Sequence, residues 1–321
     1  MTLSALTDLN QIPASAADAC RQFDYRYSMA AASVAASNWS KLYGDYSEPT
    51  TPNVRYPLSY AASRYQEYRG EIVSKPFKDG FFDLTTTEYY NSAETEWLKL
   101  STNPLEPKVW YANAERFAND EQRHMNSAVA ALFVANAACQ WDKLSLFNAS
   151  HLVDPTNTAG PTFSNLQASV TDLTQEGNLL AEVTAMQNQV VDINGENMEA
   201  DPDVILAGPL LAKPLDFMLS QSMLNNSTNP FYQKFKVVLV AQPGMGKSGI
   251  LLDTKIMSRA MEPWIITKFI PPDPTGKAAQ LRFFDENSDH FKRTGRLLVS
   301  SHIHHGVAAL FPHAVRFVTG Q

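Results

Sequence analysis

Two stretches of the 321-residue chain carry side chains that could do chemistry. In AQPGMGKS, residues 241–248, the triplet Gly246-Lys247-Ser248 follows the apolar run KVVLV. A strand delivers a phosphate-cradling loop of a nucleotide hydrolase in this order, with backbone N–H groups and a lysine around the phosphates. Ala241 stands where that pattern asks for glycine. Phosphoryl transfer also needs a magnesium-anchoring acid at the end of an apolar strand, yet PWIITKFI and GRLLVSS end in Ile270 and Ser301 with no Asp directly after them. The same residues read equally as a hairpin, KVVLV, a Gly-rich turn and then the strand GILLD. The second stretch is SSHIHHG, with His302, His304 and His305. In a strand His302 and His304 would point to one side and form half of a zinc or iron site. His313, Asp285, Glu286 and Asp289 are candidates for the remaining ligands, with nothing in their spacing to bring them in.

His124 reads as a helix-face or inter-subunit contact instead of a catalytic base. Asp120 and Glu121 read as the solvated face of a long helix. No serine-centred elbow, Cys/His pair or paired-carboxylate signature stands out. The chemistry-bearing residues therefore suggest binding at most.

The elements that would position them begin with a long helix. From Val109 to Ala138 the chain has neither Gly nor Pro, and Asn103-Pro104 and Pro107 supply its start. Thirty helical residues span about 45 Å. Trp110, Phe117, Met125, Val129, Leu132 and Phe133 keep helical spacing, and the last turns are apolar nearly all round, so that end should be buried. Before it, residues 14–37 read as a helical or partly ordered arm with another chain as a candidate packing partner.

Val54 to Asn91 is aromatic and β-branched, broken by Gly70 and the turn dipeptide Asp79-Gly80, and reads as an extended hairpin. Its tyrosines, Tyr56, Tyr60, Tyr65, Tyr68, Tyr89 and Tyr90, are more than a small hairpin can bury, so something else must cover them. After the long helix come a Pro- and Gly-rich connection and a second helix carrying Leu179, Leu180, Val183, Met186 and Val190. Strand VILAG, a helix from about Ala212 to Met223 and strand KVVLV then make an α/β unit. Short strands and Pro-rich loops complete the chain.

Composition bounds the rest. The length fits one large domain or two to three smaller ones. Apolar residues make up 44% and charged residues only 18%, below the usual quarter. The surface must then be rich in uncharged polar residues and Ala, which tolerate burial against neighbours. With 26 basic and 33 acidic residues the formal charge is -7, so no global attraction draws the chain to nucleic acid or anionic lipid. Cys20 and Cys139 cannot build a disulfide framework, nor a four-ligand zinc site by themselves, and suit a reducing compartment. The most apolar run, Ala128 to Cys139, is too short to cross a bilayer. The first twenty residues lack a secretory pattern, so the chain is expected to stay inside the cell that makes it.

An N-terminal arm, a long aromatic hairpin, a spine-like helix and an α/β lobe together resemble the Hong Kong 97-type fold, an α+β fold of tailed-bacteriophage major capsid proteins. The closer resemblance is to the Mu-like major head subunit family, carried by QWDKLSLFNASH, residues 140–151. Trp141-Asp142, Leu146-Phe147 and Ser150-His151 match its aromatic-Asp, Phe-pair and Ser-His positions, with Lys143 in place of its Gly and Leu152 in place of its Pro. Gly160 and Ser164-Asn165-Leu166 match its next loop, and DPDVILAGPLLAKPLDFML and KVVLV...GILLD match later strands and a helix. The likeness runs from about residue 40 to the end.

The resemblance implies an N-terminal arm over 1–53, an extended loop over 54–91 and a peripheral domain over 92–169 with its spine helix at about 105–138. An axial domain over 170–260 and return strands over 261–321 follow. It implies no enzyme and no cofactor. The partners it implies are copies of the chain in hexamers and pentamers of an icosahedral virion shell around double-stranded DNA, assembled in the host cytoplasm with no membrane, and scaffold, portal and decoration proteins as further candidates. Loop residues Tyr56, Tyr60, Tyr65, Tyr68, Arg69, Lys75, Phe77, Lys78, Phe81 and Phe82 are then the expected inter-subunit contacts. Some relatives crosslink a loop lysine to a neighbour's asparagine; Lys75 and Lys78 lie in that loop, with no identifiable assisting Glu. The alternatives are a nucleotide-binding enzyme using Gly246, Lys247 and Ser248, or a metal-binding protein using His302, His304 and His305.

Overall fold

The computed structural model describes residues 12–35, 38–59, 79–167, 169–224, 227–272 and 280–320. Helix α1 (Ala16–Ala35) and the single turn α2 (Trp39–Leu42) lead to strands β1 (Asp45–Ser47), β2 (Asn53–Ser59), β3 (Asp79–Thr85) and β4 (Thr87–Glu96). Helices α3 (Trp97–Thr102) and α4 (Glu106–Ala135) follow, then the short strands β5 (His151–Leu152), β6 (Thr162–Phe163) and β7 (Leu166–Gln167) and helix α5 (Glu176–Gln189). Strand β8 (Val204–Ala207), helix α6 (Ala212–Ser220), a small pair β9 (Met223–Leu224) and β10 (Ser227–Thr228), and strands β11 (Lys236–Leu239) and β12 (Gly249–Leu252) come next. Helix α7 (Thr254–Met257), β13 (Trp264–Phe269), β14 (Leu281–Phe284), α8 (Asp289–Thr294), β15 (Arg296–Ala309) and β16 (Val315–Val318) close the chain.

Helix α4 is the 30-residue helix expected from the absence of Gly and Pro, with Pro107 in its first turn. It stops before Ala138 because Asn136 adopts a left-handed conformation, φ 46°, and returns its N–H to Leu132 and Phe133, a stop that Asn tolerates better than most residues. Its two halves serve two cores. Trp110, Tyr111, Ala114, Phe117 and Ala118 pack with α1 and the first half of β15, while Met125, Val129, Ala130 and Phe133 join the larger core around β8, β12 and β13.

Two five-stranded sheets flank this helix. In one, β15 lies at the centre: β4 pairs antiparallel along Arg296–His305, β14 covers Leu298–Ser301 and β13 covers His304–Ala309 on the other side, and β1 adds in parallel to β13. In the other the order is β11-β8-β12-β16-β7. Here β11 runs parallel to β8, and β8 runs antiparallel to β12. The expected hairpin of KVVLV and GILLD is therefore not formed. Strand β8 is completely buried and separates the two, because its four apolar residues need partners on both edges.

The aromatic hairpin also differs from expectation. Strands β2 and β3 pair in register from Asn53↔Thr85 to Ser59↔Asp79, so Asp79-Gly80 lies inside a strand and is not the turn. Residues 87–96 leave the hairpin altogether and become β4 of the central sheet. The hairpin base folds onto its own chain: Leu58 and Phe82 are buried in the larger core, and Tyr56 stacks on Phe82 with centroids 5.4 Å apart and shares a 2.7 Å hydroxyl contact with Thr267. Helix α1 likewise packs on its own chain, with Phe23 against Trp110, Phe117 and Phe283. Apolar contact within reach outcompetes a neighbour that must first be bound.

Glu121, expected on a solvated face, is buried where α1, α4 and β13 meet. Its Oε1 accepts from Lys268 Nζ at 2.6 Å, and its Oε2 accepts from Tyr27 Oη at 2.7 Å and Gln280 Nε2 at 2.5 Å. Burial works against its charge, but the Lys268 ammonium and these hydrogen bonds hold its carboxyl below the ordinary value. Removing one partner of a buried pair strands the other charge, at about 3–5 kcal/mol. Glu121→Ala is expected to lower the unfolding free energy by that amount in a denaturant titration; a loss as small as a surface pair's, under about 1 kcal/mol, would refute the role given to this junction.

Candidate functional site

The Gly246-Lys247-Ser248 segment does not form a phosphate loop. After β11 the chain makes one tight turn over Pro243–Met245 and enters strand β12, so no helix N-terminus faces the loop. Three N–H groups of this turn are spent internally, Met245 on Gln242 O at 3.0 Å, Gly246 on Pro243 O at 3.2 Å and Ser248 on Met245 O at 2.7 Å. The glycines answer to packing. A Cβ on Gly244 would meet the Val134 side chain, and one on Gly208 would meet the backbone of Met245 and Gly246.

The histidines of β15 divide as the strand period demands. His302 and His304 share a half-buried face, but each has its own neighbour. His302 contacts Glu88 Oε1 at 3.3 Å and Ser300 Oγ at 3.1 Å and stacks on Tyr90, while His304 lies edge-on to Phe269. Asp285, Glu286, Asp289 and His313 do not join them: among the described residues the one group of three metal-type donors is Cys139, Asp142 and His151. His305 points the other way, into α4, where it meets His124 with ring centroids 5.3 Å apart and Tyr89 at 6.2 Å. Among the described residues neither His305 nitrogen nor His124 Nε2 has a hydrogen-bond partner.

Of the loop residues expected to touch neighbours, Tyr60, Tyr65, Tyr68, Arg69, Lys75, Phe77 and Lys78 lie outside the described residues. Tyr56 and Phe82 belong to the chain's own core. Phe81 is 61% exposed, its ring under the Arg55 guanidinium, which pairs with Asp83 at 2.7 Å. Sequence reasoning missed a second exposed group on the other lobe, Leu210, Phe217, Met223, Tyr232 and Leu239, with Phe217 69% exposed. Phe217 could have been found from its helix: Leu215, Met218 and Leu219 face the core and leave it on the opposite side.

The segment that carries the family resemblance is a closed turn behind α4. The Asp142 carboxylate accepts the Leu144 and Leu152 N–H groups at 3.1 and 3.0 Å and the Cys139 thiol at 3.1 Å, and it faces His151 Nδ1 at 2.9 Å. His151 Nε2 faces the Leu146 carbonyl at 3.1 Å, and Trp141 Nε1 donates to Leu152 O. Lys143 sits at φ 65°, the left-handed region where a glycine costs nothing.

The chain is similar to a chain of Microbacterium phage Oxtober96, with TM-score 0.50 and 11% identity over 88% of this chain and 91% of that one. It is similar also to a chain of the capsid structure of the cyanophage P-SCSP1u, with TM-score 0.50 and 9% identity over 87% and 86%. The fold is that of a phage capsid chain. No family model and no curated protein matches the sequence, so the likeness is one of fold.

Two outcomes test the local readings. Burial pushes the His305 imidazole down to about 3 and lowers that of His124. Glu121, Lys268 and Lys41 also face His305. A histidine depressed in the fold contributes stability above its unfolded value, and this is lost as pH falls toward the folded one. Between pH 6.5 and about 3 the wild type should lose stability more steeply than His305→Phe, by at most about 1.4 kcal/mol per pH unit; parallel curves would show that His305 already carries a proton in the fold. Lys143→Gly should raise the denaturation midpoint, relief of the left-handed strain outweighing the added freedom of the unfolded chain by up to about 1 kcal/mol. A lower midpoint would contradict the strain.

Proposed function

We propose that this chain is the major head subunit of a tailed phage, a structural protein of the Hong Kong 97 type with Mu-like features. The observation that carries the reading is the likeness of fold to phage capsid chains over 87–88% of this chain. The anatomy fits: a 30-residue helix contributes to both cores, a hairpin pairs Asn53–Ser59 with Asp79–Thr85, and large apolar side chains such as Phe81 and Phe217 are exposed. On this reading residues 1–53 are the arm, the segment between β2 and β3 the extended loop, and α4 the spine of the peripheral domain. The sheet containing β8 and β12 is the axial domain. Copies then associate as hexamers and pentamers of an icosahedral shell around double-stranded DNA, assembled in the host cytoplasm. Scaffold, portal and decoration proteins are its natural partners, and the chain performs no catalysis.

The formal charge of -7 suits a shell that must enclose DNA without gripping it. Nucleotide binding has no support in the geometry of the Lys247 loop, and no second reading is favoured. Electron microscopy of the purified chain at high concentration is expected to show shells or ring-shaped capsomers. Phe217→Asp, a change at an exposed site, should block assembly while leaving the melting of the monomer within about 0.5 kcal/mol of wild type. A wild-type chain that stays monomeric at high concentration would overturn the proposal.

A further inference from the structure

The turn behind α4 contains more polar chemistry than a turn requires. Cys139, Asp142 and His151 are brought together from one loop, each offering a ligand atom within 4.8 Å of the others. The side chains of Asp142 and His151 have no solvent exposure, and Cys139 is equally buried. Leu146 O can only accept, so His151 Nε2 must carry a proton toward it. Nδ1 is thereby turned on the Asp142 carboxylate, another group that only accepts when ionised. Two lone pairs 2.9 Å apart need a cation between them. Either Nδ1 carries a second proton or a metal ion bridges the pair.

The same arrangement is how metal-binding histidines are held: one nitrogen donates to a backbone carbonyl, fixing the ring so that the other points its lone pair at the ion. The Leu144 and Leu152 N–H groups take one lone pair on each Asp142 oxygen and leave one on each free. Charge balance agrees. Thiol, carboxylate and imidazolium sum to zero; so do thiolate, carboxylate, neutral imidazole and one divalent cation. Exchange of two protons for one divalent ion therefore leaves no uncompensated charge in a buried site, where such a charge would be expensive. We propose that Cys139, Asp142 and His151 form a binding site for a divalent, thiolate-tolerant transition metal of the zinc type, with Cys139 Sγ, His151 Nδ1 and both Asp142 oxygens as donors. Such an ion would tie the end of α4 to β5, which no disulfide does: both cysteines are free. Sulfur, nitrogen and oxygen together suit zinc or cobalt and disfavour magnesium or calcium.

This inference stands independently of shell assembly, since it concerns one chain. The site is closed to solvent, so the ion is supplied as the chain folds. The full-length chain is refolded with zinc, with cobalt, or with chelator, then desalted. The expected result is one retained metal per chain, release of two protons on binding, and a cobalt derivative with a thiolate charge-transfer band and a higher melting temperature than the chelated protein. Cys139→Ser should abolish the band and weaken zinc retention at least about tenfold, while Cys20→Ser, a buried thiol in the other core, should leave both unchanged. A folded wild type that retains no metal overturns the site, leaving a proton between His151 and Asp142. Retention without a thiolate band in the wild type, or equal retention by Cys139→Ser, overturns it too and points to surface histidines such as His302. Because the wild-type cobalt spectrum is decisive alone, the test survives a variant that fails to fold.

Discussion

Everything in this chain hangs on one helix having to satisfy two cores at once. Helix α4 cannot bend toward one lobe without withdrawing side chains from the other, because Phe117 is buried in the smaller core and Met125 in the larger, only eight residues apart along a rigid rod. Between them sits Glu121, buried and paired to Lys268 of β13. A buried ion pair contributes little net stability compared with apolar packing, but it tolerates displacement badly. Its position at the boundary between cores therefore fixes the helix axially against the sheet, where a slide of one turn would exchange apolar contacts at modest cost but strand two charges.

The neighbouring polar groups follow from the same boundary. Gln280 and Tyr27 fill the remaining acceptor capacity of Glu121, and Lys268 donates also to Gln280. His124 and His305 lie just beyond this satisfied network, with His124 Nε2 and both His305 nitrogens unpartnered among the described residues. The junction is thus saturated on one side and incompletely satisfied on the other, where protonation demands the most rearrangement.

What could be read from the residues was whatever is decided locally. The length of α4 follows from a run without Gly or Pro, the burial of β8 follows from its apolar run, and Leu179, Val183 and Met186 of α5 are buried as their spacing implies, while Leu180 of the same run is exposed. What failed was whatever depends on a partner far along the chain. Glu121 looked solvated because Lys268 lies 147 residues away. KVVLV and GILLD looked like a hairpin because the strand that separates them, β8, precedes both. Asp79-Gly80 has the composition of a turn, yet its pairing with Ser59 and Leu58 overrides it. The arm looked in need of a foreign partner because the groove for Phe23, lined by Trp110, Phe117 and Phe283, is assembled only in the folded state. At the Cys139 turn the acid and the histidine were visible, but their convergence with the thiol was not, since it depends on Lys143 taking a left-handed conformation that side chains seldom adopt.

The exposed apolar groups then acquire a physical sense. A chain with 18% charged residues has few charges with which to shield Phe81, Leu210 or Phe217, and a monomer gains nothing by exposing them. The lobe bearing Leu210, Phe217 and Leu239 also ends in β11, an edge strand with Leu239 on its exposed side and no second neighbour among the described residues. An apolar rim beside an unpaired edge is a liability in solution. It becomes an asset where copies meet repeatedly in a closed arrangement, because each contact then removes both the apolar surface and the open edge from water.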